Sequence, residues 1–471
     1  MKNSGGAIAL FTIMVLGAAT GNLAQTALNT MLTTIVVDFG IDVSVGQWAT
    51  TIYMLSLGIV VPTTSFITKK MQFRNYLFLS LSIFLVGGIV DAIAPTFLVL
   101  LVGRVLQAAS AGLMTPVMQT IAITRFPPER QGTVMGIAGI AMGFAPNIGP
   151  TIGSLFMQGL GWRAFFIFLA AIPLVLLICT FFLLKKEEFE PMPVKFDATS
   201  FIFSAIAFGG LLAGLSQVSN VGFENIAVWV AIAIGVIFLV IFIKRQNRVD
   251  NPLINLSIFK SKHYKLGFWM QNLLFGSFMG VTLVIPLYTE NVLGQGPVVA
   301  GMVLLPGAIA ALIFNPLGGW LGDKIGKERV MVIGATLYFT GALLSLLFAE
   351  TTPVWLVALL HVVRGAGVST TMSCSIVWML GELPKRNVND GSSFTLLVRQ
   401  ACSSFGTAIM IFIVTATSSF LPGVGPYRMA FLFSAALGLA LFVLTIVSVR
   451  PKRGSVEGES PVSLESGSAK K

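Results

Sequence analysis

Three arginines, Arg104, Arg364 and Arg399, stand inside long apolar runs of this chain. A guanidinium in hydrocarbon costs about 3 kcal/mol or more, so each must face a bundle interior or a wet cavity with acceptors nearby. The chemistry open to such a group is electrostatic. It can hold an anion, polarise a water or lower the proton affinity of a neighbouring acid, but it stays protonated and does not itself carry the proton. A second set, Asn22, Gln25, Thr26 and Asn29, falls at offsets of zero, three, four and seven, which is one face of one helix. In an apolar surrounding that face should look into a central cavity; the competing explanation is hydrogen bonding between helices, worth about 0.6 to 2 kcal/mol per contact. Asn147, Gln271, Asn272 and Gln400 are further candidates for the same lining. A third set centres on Asp323, which lies with Lys324 in the Gly-rich stretch from Asn315 to Gly326 and is followed by Lys327 and Arg329. A carboxylate so placed can accept charge-assisted hydrogen bonds in one conformational state and release them in another. The other titratable groups in or beside apolar runs are Asp38, Asp91, Glu290 and His361.

The same inventory argues against other chemistry. An enzyme embedded in the apolar runs would need a cluster of His, Asp or Glu there. The chain has two histidines, His263 and His361, and no paired carboxylates within the runs. Cys179, Cys374 and Cys402 each fall in an apolar run, which suggests neither a disulfide framework nor a metal site. No cofactor or metal is therefore expected.

The elements that must position these residues are membrane spans. The chain is 55% hydrophobic and 10% charged, where soluble domains average about 25% charged. A bilayer is crossed by roughly 20 apolar residues, and fourteen stretches qualify, near 12 to 36, 47 to 67, 75 to 93, 97 to 120, 132 to 157, 164 to 184, 198 to 217, 226 to 244, 265 to 287, 298 to 318, 329 to 349, 354 to 379, 393 to 417 and 429 to 449. The fold expected is an all-α polytopic membrane protein. The stretch after Lys2 is too long for a secretory signal and is read as a retained first helix.

Charge orients the spans. Of 30 Lys and Arg, Arg163 and Arg428 fall in loops on one face and three arginines within spans, while the other 25, Lys69, Lys70, Lys186, Arg450 and Lys452 among them, lie on the face expected to carry both termini. Basic loops mark the cytoplasmic side. The net charge of +11 is accounted for by that topology and calls for no nucleic-acid partner. The expected organisation is a six-helix bundle over 1–184, a linker with two inserted helices over 185–263, a second six-helix bundle over 264–450 and a disordered tail over 451–471.

Two places repeat. The Gly-rich hinge ending at Gly326 has a degenerate copy from Pro62 to Arg74, and the run around Arg104 has a counterpart around Arg364. The hinges resemble the cytoplasmic loop between the second and third helices in each half of the major facilitator superfamily. The resemblance becomes more specific with Arg104-Val105-Leu106-Gln107, Phe126 to Gly132, Gly143 to Gly153 and Trp162-Arg163, joined by Gln25 to Asn29, Leu305 to Ala308 and Val398-Arg399-Gln400. These are similar to motifs of the 14-helix drug:proton antiporters of the EmrB/QacA type, and among them to lincomycin-resistance-type exporters.

The resemblance implies a fold of two six-helix bundles with two extra inserted helices. It implies a secondary active exporter in a bacterial cell membrane, driven by the proton gradient and moving amphipathic small molecules by alternating access as a monomer. An exporter of a specific metabolite or lipid is the alternative. It further implies that Arg104, with Gln107, assists proton transfer and that Pro146, Gly149, Pro150 and Gly153 form the antiporter motif; from physics alone these prolines and glycines equally suit a kinked, closely packed helix. The chain departs from the pattern twice. Many such antiporters carry an acid in the middle of helix 1, where this chain has Leu23-Ala24-Gln25-Thr26, and Ser65, Lys69 and Gln72 stand where the first hinge is expected to have Gly, Asp and Gly. Two expectations follow: either Asp323 carries the gating contact for both halves, or the latch is weak.

Overall fold

In a lipid environment a spanning backbone must satisfy its own hydrogen bonds, and this chain does so with helices. The computed structural model describes residues 4–185, 191–222 and 224–449; the tail expected over 451–471, with Lys186, Arg450 and Lys452, lies outside them. In chain order the helices are α1 Ser4–Ala27, α2 Leu32–Phe39, α3 Val43–Gly46, α4 Trp48–Val60, α5 Thr63–Lys70, α6 Phe73–Ala92, α7 Phe97–Thr124, α8 Gln131–Gly139, α9 Ala145–Met157, α10 Gly161–Leu183, α11 Ala198–Val221, α12 Ile226–Gln246, α13 Lys262–Asn291, α14 Pro297–Met302, α15 Leu305–Ile325, α16 Lys327–Leu344, α17 Val354–Leu380, α18 Val388–Thr417 and α19 Gly425–Ser448. Among the described residues thirteen stretches are long and apolar enough to cross a membrane by themselves, and α8 with α9, bent by 47°, forms a fourteenth.

Local chemistry sets the breaks. Pro62 has no N–H to continue the ladder, so the run expected over 47 to 67 is split into α4 and α5. Between α8 and α9 the backbone widens into a π turn over Ile140–Phe144 just before Pro146, and Pro150 removes a second donor; this is an identifiable cause of the bend. The bend changes the helix's partner. On α8 and the turn after it, Gly139 and Gly143 face Asn315 of α15, whereas on α9 Gly149 and Gly153 face Thr26 and Thr30 at the end of α1.

Helices α1 to α10 pack among themselves, as do α13 to α19, and the two sets meet where α8 lies on α15 and α17 and where α5 and α7 lie on α18. The hairpin of α11 and α12 sits outside this frame. Its α11 packs on both α4 and α18, while α12 presents Trp229, Ile234, Ile237 and Val240 outward, as a lipid-facing helix does. At the hairpin's base Asp197 accepts from Arg245 Nη2 at 2.9 Å and from Ser200 Oγ at 2.6 Å. Burial works against that charge, but the bonds from Arg245 and Ser200 outweigh it and hold the carboxyl below the usual carboxylate range.

Candidate functional site

The site is built from polar faces that the helices cannot give to lipid. Asn22, Gln25, Thr26 and Asn29 all line one cavity of about 600 Å³, together with Gln47, Thr50 and Thr51 of the α4 end and Arg399, Gln400, Ser403 and Thr407 of α18. An adjoining lobe of about 820 Å³ shares Thr26, Asn29, Met142, Pro146, Phe275 and Met279 with it and adds Pro150, Phe278, Asn315 and His361. His361 stacks on Phe278 at 6.0 Å with the planes 9° apart. Leu215 of the inserted helix α11 also reaches the first lobe, a contribution that hydropathy alone gave no sign of. The Arg399 guanidinium lies 4.3 Å from the centre of the Phe275 ring.

Two expected lining residues are elsewhere. Gln271 donates to the Met372 carbonyl at 3.2 Å and to Ser375 Oγ at 2.6 Å, and Asn272 donates to the Phe268 carbonyl at 2.7 Å. Both are buried inside the second bundle. Helical periodicity puts them on one side of α13, but which neighbour that side meets is decided by packing. The side chain of Asn147 lies outside the described residues.

Neither Arg104 nor Arg364 lines the cavity. Arg104 donates to the Ala24 carbonyl at 3.1 Å, the Ala49 carbonyl at 3.3 Å and Gln107 Oε1 at 2.9 Å, and sits 4.2 Å over the Tyr53 ring. It thereby ties α1, α4 and α7 together. Asp91 is fully enclosed against Gly103, its carboxylate without a hydrogen-bond partner among the described residues. Arg364 donates to Ser434 Oγ at 2.7 Å and to Tyr338 Oη at 3.2 Å. Neither Asp38 nor Glu290 lines the cavity. Asp38 accepts from Trp162 Nε1 at 2.7 Å and pairs with Arg163 at 3.5 Å, and Glu290 is half-buried in the last turn of α13. Among the described residues no three His, Cys, Asp or Glu gather as a metal would require.

Lining residues run from the span ends remote from the Lys-rich loops, such as Asn29 and Gln47, past mid-span to Thr115, Met372 and Leu396. Toward those loops the space is closed by two seals between the bundles. In the first, Asp323 at the end of α15 accepts from the Gly132 N–H at 2.8 Å, the Thr133 N–H at 2.6 Å and Thr133 Oγ1 at 2.7 Å. A carboxylate thus caps the exposed N–H groups of α8, where the helix dipole favours negative charge. The approach needs glycine on both sides, because a Cβ at Gly132 or Gly319 would overlap the other's carbonyl oxygen. Lys324 is exposed beside it.

The second seal corrects both expectations for the first hinge, which makes a contact of its own. Asp390, in the first turn of α18 and fully buried, accepts from Ser65 Oγ at 2.5 Å and pairs with Lys69 at 3.6 Å. Around it Thr64 meets Ser393 at 2.7 Å, Asn389 donates to Thr64 and Thr68 and accepts from Thr120, and Ser392 donates to Gln119. The charges are exchanged between the repeats. Where the second hinge offers Asp323 to a helix start, the first offers Lys69, and the helix start opposite supplies the acid. Asp390 was missed because an acid just inside a helix start reads as ordinary capping, and its partner is 321 positions away in the chain.

The Major Facilitator Superfamily model matches residues 14–407 and, in a second match, 273–466. The chain is 32% identical over 448 residues to the Bacillus subtilis protein named uncharacterized MFS-type transporter YcnB, covering 94% of this chain and 95% of that one. It is 30% identical over 426 residues to the lincomycin resistance protein LmrB of Listeria monocytogenes, covering 88% and 89%. Among solved structures the proton:xylose symporter XylE superposes with a TM-score of 0.64 over 95% of this chain and 96% of that one, at 14% identity.

Proposed function

The chain belongs to the major facilitator superfamily, and on that premise we propose that it is a secondary active exporter that moves amphipathic small molecules out of a bacterial cell by alternating access. The observation that carries the reading is a cavity of mixed polar and apolar lining, between two bundles, closed on the Lys-rich face by two carboxylate-centred seals. With that face cytoplasmic, as basic loops imply, the structure is an outward-open state and both termini lie inside. A cavity at the interface of two repeats, rocked about a fixed site, is how such folds alternate access.

The proton gradient supplies the drive in this reading. Asp91 is the enclosed carboxylate nearest the Arg104 cluster, and a proton on it would alter how Arg104 holds α1, α4 and α7 together. The names of relatives such as LmrB support resistance-conferring export over uptake. The test is a susceptibility panel in an efflux-deficient bacterium with and without the gene, paired with proton flux in inside-out vesicles. The reading expects reduced susceptibility to some amphipathic compounds and proton release from the vesicles when those compounds are added. No change for any compound, with no proton movement, would overturn it in favour of a dedicated metabolite or lipid exporter.

A further inference from the structure

The cavity's charge is unbalanced. Among the described residues that line its two lobes there is no Asp or Glu, and the one permanent charge is Arg399. That side chain is only 7% exposed, yet it has no hydrogen bond or ion pair to any described residue; its one protein contact of note is the Phe275 ring face. The other two intramembrane arginines differ, since Arg104 and Arg364 are fully buried and each donates to protein oxygens. A guanidinium carries five N–H donors in a planar fork and no acceptor. Burying it without oxygen partners is costly, and the space into which Arg399 opens is the cavity itself.

We propose that Arg399 is the anchor of an anionic-headgroup subsite, so that the exported molecules include amphipathic organic acids or zwitterions whose carboxylate, sulfonate or phosphate seats on its fork. Three features fit that ligand. An oxyanion with two oxygens on one centre matches the guanidinium bidentately, and the aromatic face of Phe275 holds the fork's plane. Gln25, Gln400 and Ser403 stand on the same lobe as neutral donors for a remaining oxygen. Met54, Leu57 and Met279 supply an apolar wall for the body of the molecule, and about 600 Å³ is the size of a pocket for one drug-sized ligand. A permanent cation would meet an unpaired positive charge with no carboxylate to offset it.

The inference rests on the exporter reading for its substrate, and a binding measurement tests it without transport. Purified protein in nanodiscs of zwitterionic lipid is titrated with three probes on one scaffold: a naphthyl alkanoic acid, its carboxamide and its amine. The acid should bind tighter than the carboxamide by about ten- to a hundredfold, as a charge-assisted hydrogen bond in a desolvated site gives, and the amine weakest. Arg399→Gln should bind acid and carboxamide alike, and Arg399→Lys, a point charge without the fork, should keep part of the preference. Equal binding of acid and carboxamide by the unaltered protein would overturn the proposal, as would a preference that survives in Arg399→Gln. The first comparison needs no variant, so a misfolded mutant leaves it decisive. An acid preference in a protein that exports nothing would sink the transport reading and leave the subsite; export with no acid preference would do the reverse.

Discussion

One residue type meets three fates here. Arg104 ties three helices through their carbonyls, Arg364 bonds to hydroxyls within the second bundle, and Arg399 opens into the cavity. For Arg104 the fork matters as much as the charge, because Nε reaches α4 while Nη1 reaches α1 and Gln107. Arg104→Lys keeps the charge and loses that geometry. Transport by Arg104→Lys should fall to a small fraction of normal with membrane abundance unchanged, and Arg104→Gln should be no better. Activity that merely tracks abundance in both would make Arg104 a structural tie and nothing more. The sequence showed that these arginines need partners, and the polar face of α1 could be read from spacing alone because all four residues belong to one helix. Gln271 could not be assigned, since its partners at Met372 and Ser375 are set by how α13 packs on α17, and Asn272 turns back to the Phe268 carbonyl of its own helix.

At the scale of elements, the seals are contacts between the start of one helix and the hinge of the other bundle. Asp323→Asn keeps one acceptor but turns an amide N–H toward the N–H donors of α8. The variant should insert normally and transport poorly; wild-type transport would show the contact to be dispensable. The exchanged pair allows a sharper experiment. Lys69→Asp or Asp390→Lys alone sets like charges together at a buried position, and breaking a buried pair costs about 3 to 5 kcal/mol. Each single variant should lose most transport, while the double variant Lys69→Asp/Asp390→Lys should recover a substantial part. A double variant no better than the worse single would mean that the two side chains are not coupled. Only half of this arrangement was legible beforehand. The intact hinge at Asp323 announces itself by its glycines, whereas Lys69 looks like decay until α18 is seen to bring Asp390 across.

For the whole molecule, the fourteen crossings found among the described residues follow from apolar length, and the two-fold repeat from the paired hinges and paired arginine runs, which are properties of the chain alone. The state the molecule occupies is not such a property, because it depends on which interface between bundles is closed. Here the basic face is closed and the cavity lies toward the other, so the account requires the two faces to move in opposition. Two label pairs measure this by spin-label distances after replacement of the three native cysteines. Arg130 and Lys324, both exposed beside the Asp323 seal, report the basic face; Leu160 and Met302, 71% and 61% exposed, report the opposite one. With the seal intact the first distance should be short and the second long, and Asp323→Asn should populate a state in which the first lengthens as the second shortens. Distances that stay fixed, or that lengthen together, would contradict alternating access through this cavity.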